Sequence, residues 1–464
     1  MGSGVVHRFK APSTISLKPS HSSDTFKVSI PRTLSPTEHG LQVSSVSKGA
    51  RKIIEELKSK GFQAELVGGC VRDLLLNKIP KDFDVATDAT PEQVRHVFAR
   101  SRIIGRRFRI VHVRMGREVI EVSTYRASSE SNDLKTDDDS SYSASGRILR
   151  DNVFGSRDQD VVRRDFTINA LYYDTESNTV TDYVDGFSDV KKQVLQFIGD
   201  PARRIEEDPV RMLRIARFKS KLDLFIDPAC ETLCRESAYL LRQVPPARLF
   251  DEILKLFHSG FAVRVFLELR SMGLFSELFP EADRVFNSSD IDPDSGIVFK
   301  GLENTDRRID EGKPVIAAFL FAVLLWRCVS RRLRLSELEK PVSLMQMHHA
   351  AIDVLGRQVQ RVAIPRRIST VVMDIWDMQV RLEARRPRTI KRLLEHKRFR
   401  AGYDFLLLRS QAGEVKTEIT DWWTKIQEVN DEQAILMIQA LTGPKSQSKR
   451  RRRPRKRQPR RSSE

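Results

Sequence analysis

Asp82-Phe83-Asp84 places two carboxylates at i and i+2, where Phe83 and Val85 alternate with the acids. On a strand such residues share a face, about 6.6 Å apart along it. Converging carboxylates bind hard cations, and two cations roughly 3.5–4 Å apart promote in-line displacement at phosphorus. Alone, the pair also suits the solvated face of an edge strand. Leu66-Val67-Gly68-Gly69 stands upstream, with Arg72 and Asp73 shortly after it. Paired glycines between a strand and a helix let backbone N–H groups approach a phosphate, or simply make a tight turn. Arg72 is in reach of a triphosphate, or is a surface arginine paired with Asp73. Arg163-Arg164-Asp165 opens a short helical segment, Phe166 to Leu171. There Asp165 suits a cap or a cation site, and Arg164 a phosphate or ribose. Asp208, Arg211 and Arg214 fall at i, i+3 and i+6, one face of a helix. An acid beside guanidiniums can read a nucleobase edge, or can be a surface ion pair.

These residues need a scaffold. Ile53, Ile54 and Leu57 predict a helix ending near Gly61; Ala64–Val67 predicts a strand running into the glycines. Thr90-Pro91-Glu92 predicts a helix start with Thr90 as cap and Pro91 at the first position. Residues 110–114 and 119–124 alternate around Met115-Gly116, as in a hairpin. Strand signals fade after Asp200. Pro209–Phe218, Pro246–Phe257 and Ala262–Met272 are helix-periodic. The expected fold class is α+β: a head with a small mixed β-sheet, then an elongated helical neck and body. The expected divisions are a disordered tail at 1–47, a catalytic head at 48–198, a neck at 199–285, a body at 286–440 and a disordered basic tail at 441–464. Residues 127–147, rich in Ser and Asp, read as a long mobile loop.

Charge narrows the function. Of 464 residues, 80 are Lys or Arg and 62 are Asp or Glu, a net +18. That surplus disfavours a small-metabolite enzyme without a polyanionic partner and favours nucleic acid, or less often an anionic membrane surface. Eleven Lys/Arg and one acid lie between Lys445 and Glu464, so that stretch carries +10 and the rest +8. Val315–Trp326, the longest apolar run, is too short for a bilayer and reads as a buried helix. Cys230 and Cys234 stand at i, i+4 without the further ligands of a tetrahedral zinc site. The four cysteines fit a reducing compartment. His348-His349 reads as surface. His396-Lys397-Arg398-Phe399-Arg400 could contact phosphates and stack bases, or form the solvated side of a helix.

Taken together, LVGGCVRDLLL with KDFDVATDATPEQV, RRDFTINALYYD and IGDPARRIEEDPVRMLRIARF resemble, in order, the motifs of the class II nucleotidyltransferases. That family comprises the tRNA CCA-adding enzymes and the bacterial poly(A) polymerases. RDNVFGSRDQDVVRRDFTIN, QVPPARLFDEILKLF and the C-terminal segments AIPRRISTVVMDIWDMQVRLEARR and RLLEHKRFRAGYDFLLLR resemble the poly(A) polymerase branch. Cys70 departs from it, standing where those enzymes often have a third glycine. The resemblance implies Asp82 and Asp84 as ligands of two catalytic Mg²⁺ ions, with Asp165 or Glu121 as a third acid. It implies Gly68, Gly69, Arg72 and Arg164 for the triphosphate and ribose, and Asp208 and Arg211, supported by Arg214, for base selection. The implied reaction adds AMP from ATP to RNA 3′ ends, with CCA addition to tRNA as the alternative; the presence of Asp82, Asp84, Asp165, Asp208 and Arg211 argues against a non-catalytic RNA-binding scaffold. Implied partners are RNA, ATP and RNA-decay proteins, with no membrane, for a monomer in a bacterial cytoplasm. Residues 1–40, rich in Ser with five Lys/Arg against two acids, leave organellar targeting as the alternative.

Overall fold

The computed structural model describes residues 30–105, 109–127, 140–142, 148–151, 153–287, 296–334 and 341–441. The chain divides into two compact units: Met1–Ser141, Arg150–Phe187 and Ile198–Asp200 form one, and Tyr142–Leu149, Ser188–Phe197 and Pro201–Glu464 the other.

The first unit is built on a mixed sheet. Its strands are β1 Arg32–Leu34, β2 Ala64–Val67, β3 Asp84–Thr87, β4 Ser101–Ile104, β5 Ile110–Met115 and β6 Glu118–Thr124. After the short β7 Ser140–Tyr142 and β8 Ile148–Asp151, which pair separately, β9 Leu171–Asp174 and β10 Thr179–Asp182 complete it. The spatial order is β1-β10-β9-β2-β3-β6-β5-β4. All neighbours run antiparallel except β3 and β6, which are parallel with Asp84 opposite Glu121. The expected hairpin forms as β5–β6, turning through Gly116 at φ 64°.

Helix Lys48–Ser59 starts where the Ser47 hydroxyl accepts from the Ala50 N–H, and it buries Ile53, Ile54 and Leu57. Helix Pro91–Val97 starts at Thr90, whose hydroxyl accepts from Gln93 N–H while the Gln93 side chain accepts from Thr90 N–H. A core of Val67, Ala86, Tyr125, Val161, Ala170, Tyr172, Tyr183 and Ile198 closes one side of the sheet.

Two expectations change. The tail expected at 1–47 contains ordered structure from Ile30: Arg32–Leu34 adds an edge strand to β10, followed by helix Pro36–His39. Three residues carry no visible period, so only pairing defines that strand. In addition, β3 begins at Asp84, and Asp82 lies in a bend just before it. The strand's last β2 partner is Leu66, opposite Val85, so Asp82 lies beyond the ladder and stands exposed. Residues 128–139 and 143–147 of the expected loop lie outside the described residues.

The second unit is helical among its described residues apart from short extended pieces. Helices Val210–Leu222, Pro246–Phe257 and Ala262–Ser271 match the periodic stretches. All of the apolar run but Val315 and Ile316 lies in helix Ala317–Leu333, where Leu320–Leu325 and Trp326 are buried. Trp376 and Trp423 are fully buried as well. No helix among the described residues is long and apolar enough to cross a membrane.

Candidate active site

In the first unit, the register of β3 and β6 sets the acids. Asp84 and Glu121 are direct partners on adjacent parallel strands, so their side chains leave the sheet on one face. Burial, then the Glu121 carboxylate, pushes the Asp84 carboxyl up to about 6, with Asp82 adding and Arg164 opposing. Asp84 and Glu121 thus stand side by side with Asp82 two residues away, and like charges brought this close favour a cation beside them. Among the described residues, no three or more His, Cys, Asp or Glu side chains are grouped closely enough to hold a metal ion by themselves. The donor set suits Mg²⁺, which takes few protein carboxylates and keeps several waters. Glu121 also lies 3.2 Å from His112 Nε2.

Asp165 is placed differently. Its Oδ1 accepts from the Phe166 N–H at 2.9 Å and, more weakly, from Asn169 Nδ2 at 3.4 Å. It thus anchors the short 3₁₀ turn Thr167–Asn169. Asn169 Oδ1 in turn accepts from Arg72 Nη1 at 2.7 Å. Arg72 is only 4% exposed and binds Asp73 Oδ1 through Nε and Nη2 at 2.9 and 2.6 Å. It is paired with Asp73 but is not a surface residue.

These groups flank the glycine turn. Gly68 has φ 80°, ψ −133°, a conformation that needs glycine. A Cβ there would stand 3.5 Å from Arg164 Nη1, and one on Gly69 would stand 3.5 Å from Arg72 Nη2. Arg164 is held by Asp160 Oδ2 (3.1 and 2.8 Å) and the Tyr172 hydroxyl (3.0 Å). Burial alone would lower its pKa, but Tyr172 and Asp160 outweigh that and keep the guanidinium firmly charged. Gly68, Gly69, Arg72, Arg164 and Asn169 therefore converge on one spot, where a bare turn meets fixed positive charge. Asp160 and Asn169 were not foreseen. Asp160 is legible as the i−4 partner of Arg164, and Asn169 stands inside the Arg-Arg-Asp segment.

In the second unit, Asp208 precedes helix Val210–Leu222. Both of its oxygens are taken by Arg248, at 2.8 and 2.6 Å, a fork-to-carboxylate pair. Arg211 donates through Nη1 to Glu207 Oε2 at 2.7 Å and to the Arg204 carbonyl at 2.6 Å. Arg214 lies 5.7 Å from the Phe218 ring centre. The three residues share the helix start, but each is engaged by a different neighbour. Arg248 went unnoticed, since nothing in its local spacing ties it to a residue forty positions away. Elsewhere in this unit, His348 Nδ1 lies 3.2 Å from Asp377, and Cys230 and Cys234 sit on helix Pro228–Ser237.

Comparison with known proteins places the chain in a family. Residues 64–196 match the Poly A polymerase head domain, 223–286 the "Probable RNA and SrmB- binding site of polymerase A", and 340–457 the "Polymerase A arginine-rich C-terminus". Poly(A) polymerase I of Haemophilus influenzae is 42% identical over 400 residues, covering 85% of this chain and 87% of that protein. Poly(A) polymerase I of an Escherichia coli O6:H1 strain is 42% identical over 428 residues, covering 91% and 92%. Among solved structures, a CCA-adding enzyme in an apo form aligns with TM-score 0.56 at 16% identity, over 89% of this chain and 94% of that one. A likeness at that identity concerns the fold alone. With identity of this level to poly(A) polymerases across nearly its whole length, this chain belongs to the bacterial poly(A) polymerase family and is a polynucleotide adenylyltransferase.

Proposed function

We propose that the chain extends RNA 3′ ends with AMP from ATP, without a template, by a two-metal transfer, and serves polyadenylation in RNA processing and decay. The observation that carries this is the in-register pair Asp84–Glu121 on β3 and β6, in the same unit as the Arg72–Arg164 wall at Gly68-Gly69. Asp82, Asp84 and Glu121 would hold the Mg²⁺ ions. When bound, these ions supply Lewis acidity for the attacking 3′-hydroxyl and the departing pyrophosphate. The protein's own contribution is placement. Gly68 and Gly69 leave the turn open so that a triphosphate can come close to the backbone. Arg164, fixed by Asp160 and Tyr172, and Arg72, fixed by Asp73 and Asn169, meet it with charge that needs no reorganisation. Asp165 orders the turn carrying Asn169 and acts as a positioning residue. Asp208 and Arg211 select the incoming base, with Arg214 in support and Arg248 orienting Asp208. Bacterial relatives support a cytoplasmic site of action. A monomeric state and partners in RNA decay belong to the same proposal.

The test offers the protein Mg²⁺, a generic RNA and a tRNA lacking its CCA end, with ATP and CTP supplied separately. Long A-tracts on the generic RNA are expected, and Asp82→Ala or Asp84→Ala should abolish them while RNA binding persists. Incorporation of CTP on the tRNA, followed by a single A, would overturn the reading in favour of CCA addition.

A further inference from the structure

Leu224-Phe225-Ile226 is a short extended segment in the second unit. Leu224 is 4% exposed and Ile226 9%, whereas Phe225 between them is 72% exposed. On an extended chain, alternate residues face opposite sides, so two buried neighbours aim Phe225 outward. An outward position flanked by core residues ordinarily carries a polar side chain. A phenyl ring there breaks the local pattern, and such breaks concentrate where function is served.

The ring's mount is rigid. Phe225 N–H donates to the Gln193 carbonyl at 2.8 Å, and the Phe225 carbonyl accepts from Leu195 N–H at 2.8 Å. Both bonds belong to an isolated parallel bridge to Val194. Two left-handed residues frame it, Gln193 at φ 56° and Asp223 at φ 58°. Non-glycine residues in that region cost free energy and persist where the surroundings hold them.

Exposed cations stand close to it along the chain and across the bridge. Lys191 and Lys192 directly precede Gln193, and Lys221 stands four residues before Phe225. Arg264 lies 3.4 Å from Asp223 and is well exposed. Asp189, Asp223 and Asp227 are the acids in the same two stretches, Asp189 being buried. An exposed aromatic ring on a fixed backbone, with lysines a few residues away on both bridged segments, has the design of a platform for a single-stranded nucleic-acid base: the ring stacks and cations hold phosphates.

We propose that Phe225 is a base-stacking platform for the single-stranded RNA substrate, holding the strand for extension. The proposal rests on the RNA-extending reading above and names a contact outside the acids and arginines of that site.

Because the ring is exposed, Phe225→Ala and Phe225→Leu should keep the wild-type melting temperature. In the full-length protein, Phe225→Ala should weaken binding of an A-rich single-stranded RNA about 5- to 150-fold, the worth of one base stack. Phe225→Leu, apolar but not aromatic, should fall close to the alanine variant, and Phe225→Trp should restore affinity. Tryptophan fluorescence of Phe225→Trp should be quenched by that RNA beyond the wild-type change, whereas duplex RNA without an overhang should quench it far less. The kcat for AMP addition at saturating RNA and the KM for ATP should stay near wild type in every variant. Unchanged RNA affinity in Phe225→Ala, or no added quenching in Phe225→Trp, refutes the platform. A fall in kcat at saturating RNA would also refute it, by making Phe225 part of the chemistry. Failure of the wild-type protein to extend RNA at all would instead refute the functional reading beneath it.

Discussion

At the residue scale, the question that matters is which carboxylate joins Asp82 and Asp84. The family resemblance favours Asp165, with Glu121 on the hairpin strand as its rival. The structure puts the Asp165 carboxylate to work on the Phe166 N–H and Asn169, whereas Glu121 is the register partner of Asp84, whose carboxyl is raised first by burial and then by the Glu121 charge. Sequence left both acids open because neither the alternation of β6 nor the Arg-Arg-Asp segment reveals which strand lies beside β3. Glu121→Gln should therefore lower kcat by about 100-fold or more at limiting Mg²⁺, since it removes charge where the cations would sit. Asp165→Asn keeps an oxygen acceptor for the Phe166 N–H and should lower kcat by less than about tenfold. Steady-state rates across a Mg²⁺ titration check both, and the reverse ordering would return the third ligand to Asp165.

At the element scale, helix Lys48–Ser59 is tied to the end of β9 by Lys58, which bonds Asp174 at 2.6 Å and Glu176 at 3.0 Å. Burial works against both charges. The bonds win, so Lys58 is raised above 10.5 and Asp174 lowered below 3.8. The sign of the linkage follows. The contribution of Asp174 is present above the ordinary carboxylate value and is lost as pH falls through its lowered one. That of Lys58 is present below 10.5 and is lost as pH rises through its raised value. Lys58→Met should cost about 1 kcal/mol at pH 7. Its deficit against wild type should shrink as urea unfolding is followed from pH 7 down to pH 3. A deficit that stays constant over that range would assign the effect to packing rather than to charge. Sequence periodicity revealed the helix and β2 well, because caps and apolar spacing are local. It did not reveal β1, nor that β3 starts only at Asp84, because pairing with distant strands draws those limits.

At the scale of the whole molecule, the +18 divides unevenly between Lys445–Glu464, at +10, and the remainder, at +8. Ending the chain at Pro444 should weaken RNA binding at least about tenfold at low salt. It should also flatten the dependence of log affinity on log salt, by roughly 0.7 for each single-strand phosphate that the shortened chain no longer neutralises. The kcat at saturating RNA should stay within about twofold of wild type, since Asp84, Glu121, Arg72 and Arg164 are untouched. Filter binding across a salt series reads the slope. An unchanged slope would mean that the basic segment takes no part in holding RNA.

The sequence by itself determined the chemistry that is possible: the acids at 82 and 84, the glycine turn, the arginine clusters and the α+β order are all encoded in residue types at short spacing. Those signals are local, and caps, periodicity and turns act over a few residues. Tertiary structure alone decided which acid stands beside Asp84, which carboxylate and amide pin Arg164 and Arg72, and that Arg248 clamps Asp208. Apart from Asp160 with Arg164, four residues apart, those pairings join distant positions that only strand register or packing brings together. No periodic signal crosses the intervening chain.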